Sequence, residues 1–196
     1  MTTCLIHSME SIKKLSLPIL LIATIASVVL QTVAQAVLNV FYANSGFPVA
    51  YYVGQTAFDA AKLEGWYATM QAAGTLDVYW QTQFVDFGFI AATALLHFFA
   101  LVLVARLLPA GAWRRLAMAL MVVGLLAPAF DVLENLVSFI ALANPTDVNP
   151  VVAIVYSSFA SLKFLGFFAV YLWVPVGLVA AAVLSATRRV RAAQPA

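Results

Sequence analysis

Four long apolar runs, nearly free of charge, constrain this chain more than any other feature. They extend from Leu15 to about Tyr42, from about Val78 to Ala105, from Leu116 to Ala143 and from Val151 to about Thr187. A hydrocarbon core about 30 Å thick is crossed by roughly 20 apolar residues at 1.5 Å each, so every run is long enough for a spanning helix. The runs are rich in Ala and Leu and lack the ~10-residue in/out alternation of an outer-membrane barrel. The expected fold is all-α: a polytopic membrane protein, a four-transmembrane-helix bundle forming a single membrane domain over residues 1–196.

Composition agrees. Of the 196 residues, 64% are apolar and 9% charged, whereas a soluble domain is about half apolar and roughly a quarter charged. A lone cysteine, Cys4, excludes a disulfide scaffold. Ten Lys+Arg against eight Asp+Glu leave a net +2, too little for a nucleic-acid binder. The lipid bilayer is the expected partner and nucleic acid is not.

Basic residues set the expected orientation. Lys13 and Lys14 precede the first span; Arg106, Arg114 and Arg115 lie in the link between spans two and three; Arg188, Arg189 and Arg191 follow the fourth. The opposite side carries only Lys62. Short segments rich in Lys and Arg stay cytoplasmic, so both termini are expected on the cytoplasmic side of a plasma (inner) membrane. Lys13-Lys14, the apolar run and Val33-Ala34-Gln35-Ala36 also fit a secretory signal with a small-residue cleavage site. The run continues to Phe41, longer than a typical signal core, which favours a retained anchor.

The external segment, about Ala43 to Asp77, is too long for a turn. Phe58, Leu63, Trp66 and Met70 recur near helical spacing, so Thr56 to Met70 reads as a short amphipathic helix at the outer interface, with Trp66 and Tyr67 at headgroup level. The alternative is an ordered segment capping the bundle.

The informative residues are charges within apolar runs: Asp86 in span two, Asp131 and Glu134 in span three, Lys163 in span four. Each costs about 2.5–3.5 kcal/mol at mid-depth on insertion scales, so such groups face the bundle interior and pair. Asp131, Glu134, Asn135 and Ser138, at i, i+3, i+4 and i+7, make one helical stripe, and Pro128, one turn earlier, frees a backbone carbonyl. Ser27, Gln31, Gln35 and Asn39 make a second stripe in span one. Gln83 lies one turn before Asp86, and His97 returns to nearly the same azimuth eleven residues on.

At 1.5 Å per residue from the outer ends, Asp86 and Gln35 lie about 13 Å deep, Glu134 about 15 Å, Asp131, Gln31 and Lys163 about 20 Å, and His97 roughly 30 Å. The expected ligand- or ion-binding layer is therefore Asp86, Asp131, Glu134, Asn135, Lys163, Gln31 and Gln35. The fourth run is about ten residues too long for one untilted crossing, so Lys163 could instead snorkel to the outer interface. Three acids against one lysine leave two surplus negative charges if all ionise. At least one carboxyl is therefore expected to hold a proton, or a cation to sit among them.

H-E-x-x-H, E-x-x-H, P-loop and G-x-S-x-G patterns are all lacking, and two histidines, one of them the near-terminal His7, make a transition-metal site improbable. No cofactor is expected. Ser157, Ser158 and Ser161 near Lys163 raise a Ser–Lys nucleophile, but membrane-helix serines usually bond their own backbone. Gly177, Ala181 and Ser185 form a small-residue stripe suited to close helix contact, within the fold or in a homo-oligomer.

Pro128-Ala-Phe-Asp131-Val-Leu-Glu134-Asn135 reads as a D-x-x-E-N signature, preceded by Val85-Asp86-Phe87 and followed by Leu162-Lys163. In these residues, over about Gly65 to Gly166, the chain resembles a group of small, uncharacterised bacterial four-helix integral membrane proteins. The resemblance implies the same layer of Asp86, Asp131, Glu134, Asn135 and Lys163, and brings no activity with it. More faintly the chain is similar to the sterol isomerase-like membrane domains, whose histidine and tryptophan pattern it lacks.

Three functions fit these residues. One is a proton- or cation-coupled carrier or ligand-binding protein, with Asp86 and Glu134 exchanging a proton or small cation and Lys163 as counter-charge. The second is a membrane-embedded enzyme acting on a lipid or isoprenoid, with Asp131 or Glu134 as general acid/base. The third is an accessory subunit whose polar layer only ties helices together.

Overall fold

Pro18, in the first turn of α1 (Leu17–Ser45), stands where a missing backbone N–H costs the helix nothing. The computed structural model describes residues 16–193, so Cys4, His7, Lys13 and Lys14, and the side chains of Arg189 and Arg191, lie outside the described residues. After α1 come α2 (Tyr51–Gln55), α3 (Ala60–Ala73), α4 (Leu76–Leu107), α5 (Ala112–Ala143) and α6 (Pro150–Ala193). Four of these, α1, α4, α5 and α6, are long and apolar enough to cross a membrane, the pattern of a multi-pass membrane protein. α4, α5 and α6 each contain one of the runs read from the sequence, and α1 carries the first run from Leu17 onward.

The helices do not share contacts equally. α4, α5 and α6 pack on one another, whereas α1 packs chiefly along α4. Most of α1 is therefore exposed: Ile22, Ile25 and Val29 are each about 60% accessible, as expected of a helix whose outer faces meet acyl chains instead of protein.

Glycine brings three helix pairs into close approach. A β-carbon at Gly166 of α6 would lie 2.5 Å from Ala127 Cβ of α5; one at Gly124 of α5 would lie 2.5 Å from Leu101 of α4; one at Gly177 of α6 would lie 2.5 Å from Val104 of α4. This is the small-residue packing expected where no hydrophobic effect drives helices together. Gly177 and Ala181 of the small-residue stripe are thus spent inside the fold, while Ser185 is exposed.

Arg114 closes the α4–α5 link: its Nε donates to Ala105 O (3.1 Å) and Leu108 O (2.9 Å). These bonds satisfy carbonyls orphaned at the end of α4 and place a cation at the negative end of its dipole.

The segment between α1 and α4 differs from expectation. It holds two helices, and the longer starts at Asp59, whose carboxylate accepts from Lys62 N. Phe58 precedes that helix, half exposed, with its backbone in the left-handed region (φ 53°). The docked face is Leu63, Tyr67 and Met70, packed with Tyr79, Ala141, Leu142, Val148, Ala153 and Tyr156. Tyr67 is fully buried instead of lying at a headgroup surface, and Trp66 is half buried against Phe47. The physical reason is that the segment is latched over the bundle end: Val148 N donates to Glu64 Oε1 (2.8 Å) and Phe58 N to Ser157 Oγ (3.0 Å). Gly46 and Gly74 let the chain turn into and out of this cap, both in the left-handed conformation at helix ends.

Candidate functional site

Asp131 and Glu134 lie one turn apart on α5, so both carboxylates project from one face. Lys163 of α6 reaches that face. The Gly166–Ala127 contact, one turn from each partner, lets the two backbones approach closely enough for the ammonium to meet both acids. Lys163 Nζ donates to Asp131 Oδ1 at 2.6 Å and also to Glu134 Oε2. Asp131, Glu134 and Lys163 are 1%, 0% and 3% exposed. Lys163 therefore does not snorkel; it turns inward and ties α6 to α5.

The third acid is held separately. Asn135 Nδ2 donates to Asp86 Oδ2 at 2.8 Å, and Ser138 Oγ donates to Gln83 Oε1 at 2.8 Å, linking α4 to α5. Three helices are thus joined by two buried polar groups, both built from the α5 stripe. The serines near Lys163 bond backbone: Ser158 donates to Ile154 O and Ser161 to Ser157 O. No nucleophile–base pair is formed.

Beside this network lies a cavity of about 320 Å³ between α1, α4, α5 and α6. Asp86, Asp131 and Lys163 line it, Gln35 and Tyr42 of α1 face them, and Gln55 of α2 closes one end. Glu134 and Asn135 stand behind the wall. Gln31 is half buried and does not line the cavity; Gln35, which does, donates to Asn39 Oδ1 at 2.9 Å. Of the expected layer, five residues are brought into two buried hydrogen-bonded groups that share α5, Gln35 lines the same cavity, and Gln31 stays apart.

Two oxygens of the lining acids are uncommitted. Among the described residues nothing donates to Asp86 Oδ1 or Asp131 Oδ2, since Asn135 and Lys163 occupy only the other oxygen of each. Gln55, 3% exposed, has an Oε1 with no hydrogen-bond partner. All three residues line the cavity, where these acceptors are open to a ligand donor.

His97 lies one layer deeper and plays a role that spacing alone did not reveal. Proline at 128 removes the N–H that would bond Gly124 O, and His97 Nδ1 takes that carbonyl at 2.9 Å. A carbonyl only accepts, so Nδ1 carries the hydrogen. The ring packs edge-on against Phe167 and Tyr171, both 5.4 Å away between centroids, and these two form part of the cavity wall. Pro128 was a legible signal for an orphaned carbonyl; the donor on another helix that takes it was not.

No family model, no curated protein and no solved structure matches this chain.

Proposed function

We propose that this chain is a small integral membrane protein that binds a small molecule in the cavity beside its acids, as a proton- or cation-coupled carrier or ligand-binding protein. Asp86 is the exchanging group. The observation carrying the reading is that Asp86 and Asp131 line a cavity with one carboxylate oxygen each uncommitted, while Lys163 is shared between Asp131 and Glu134. A purely architectural network would close on itself, with no void at its charged edge. The earlier pairing of Asp86 with Glu134 narrows accordingly to Asp86 with Asp131, because Glu134 stands off the cavity.

In this reading the charge surplus is reduced by a proton in the empty state and by the ligand in the bound state, which couples the two. The Arg106, Arg114, Arg115 and Arg188 end of the bundle faces the cytoplasm and the cap faces outward, in the plasma (inner) membrane. The D-x-x-E-N signature acquires a physical rationale: Asp and Glu grip the lysine of α6, and Asn holds the acid of α4.

A thermal-shift screen of small molecules on wild type and Asp86→Asn, run side by side, tests this. Asparagine keeps the acceptor for Asn135 and removes only the charge. At least one ligand class is expected to raise the wild-type Tm with concentration, as binding to the folded state requires, and to leave the Asp86→Asn Tm unmoved. If no compound distinguishes the two proteins, the reading is wrong.

A further inference from the structure

Access to the cavity is sideways. α1 leans on α4, and the α6 residues facing it across the cavity are open to the surroundings: Phe168 is 65% and Tyr171 46% exposed although both line the cavity. A ligand entering there comes from the phase that surrounds Phe168, Leu165 (67%) and Leu172 (56%) on the same helix, so it is itself partly apolar.

The interior wall asks for a positive charge. Asp86 and Asp131 bring two carboxylates, and the acceptors without a donor from any described residue include Asp86 Oδ1, Asp131 Oδ2 and Gln55 Oε1. An anionic ligand would meet both acids, and a neutral one would do nothing to offset their charge. Among the described residues no three Asp, Glu, His or Cys groups converge as metal ligands, so a bare metal ion is a poor fit. The remaining wall is aromatic, with Tyr42, Phe89, Phe164 and Phe167 among its residues. Ring faces attract cations within about 6 Å, and Phe164 already does so, with Lys163 Nζ 5.1 Å from its centroid. At about 320 Å³ the space sits at the small end of ligand pockets, which begin near ~300 Å³.

We propose that the cavity takes a lipophilic ammonium ion, an amine or quaternary ammonium with an apolar tail, which enters between α1 and α6 and sets its head against Asp86 and Asp131. The tail lies along Phe168 and Tyr171 toward the lateral opening. This rests on the ligand-binding reading above and names its ligand class.

Equilibrium dialysis of the full chain in phosphatidylcholine nanodiscs, with radiolabelled decyltrimethylammonium, decyl sulfate and decanol, tests it with one tail and three heads. Saturable binding is expected for the ammonium alone, weakened about tenfold or more by Asp86→Asn, as loss of a buried charge partner implies. Gln35→Trp, which narrows the cavity from α1 without touching the acids, is expected to abolish it, and decides the matter if Asp86→Asn does not fold. Ammonium binding unchanged by Asp86→Asn or by Gln35→Trp overturns the proposal. So does the absence of saturable ammonium binding to wild type. Sulfate or decanol binding that depends on Asp86 overturns the ammonium assignment while leaving the cavity reading intact.

Discussion

Replacing Lys163 by methionine is expected to cost about 3–5 kcal/mol, because it leaves Asp131 and Glu134 buried without their cation. Methionine preserves most of the side-chain length, so packing against Phe164 is largely kept and the loss is electrostatic. Domains are stable by only about 5–15 kcal/mol, and a loss of this size abolishes folding or leaves a protein that melts roughly 6–20 °C lower. The triple variant Lys163→Met, Asp131→Asn, Glu134→Gln removes all three charges together and is expected to recover most of that loss, since replacing a whole buried charge cluster is often close to neutral. Thermal melts in one detergent, following monodispersity, compare the three proteins. A single variant within about 1 kcal/mol of wild type, measured against the buried-pair cost, would mean that Lys163 does not hold the acids.

His97→Phe is the second large effect. Phenylalanine can keep the edge-on packing on Phe167 and Tyr171, but it cannot donate to Gly124 O, which Pro128 has already deprived of its helical partner. An unsatisfied buried carbonyl costs about 1–3 kcal/mol. Pro128→Ala restores a backbone N–H one turn away, so in that background the same His97→Phe change is expected to cost clearly less. Equal costs in both backgrounds would show that the histidine is not there for the carbonyl. The comparison is a double-mutant cycle read by melting, and it isolates the proline–histidine coupling from any general loss of packing.

How much of this was legible in advance depended on whether the controlling physics is local. The four long helices were, because apolar length alone decides a spanning segment. The Asp131, Glu134, Asn135, Ser138 stripe was, because helical periodicity places these residues on one face whatever the partner. Lys163 was ambiguous: α6 is 44 residues long, so counting from its two ends gives different depths. What turns the side chain inward is the Gly166–Ala127 approach, a contact between helices that no spacing within one helix displays. The same limit hid which α1 glutamine reaches the cavity, Gln35 and not Gln31, and the docking of Tyr67, whose face was assigned to Trp66 because single-helix periodicity cannot say which neighbour a helix folds onto.

Two helices meeting through Lys163, Asp131 and Glu134 at the edge of a cavity is the claim on which the rest depends. Magic-angle-spinning NMR of the ¹⁵N,¹³C-labelled protein in lipid bilayers measures it directly, by through-space transfer from Lys163 Nζ to side-chain carboxyl carbons. Cross-peaks to both Asp131 Cγ and Glu134 Cδ, lost together in Lys163→Met, are the expected result. A Lys163 Nζ that correlates with lipid phosphate or water and with neither carboxyl would contradict the account.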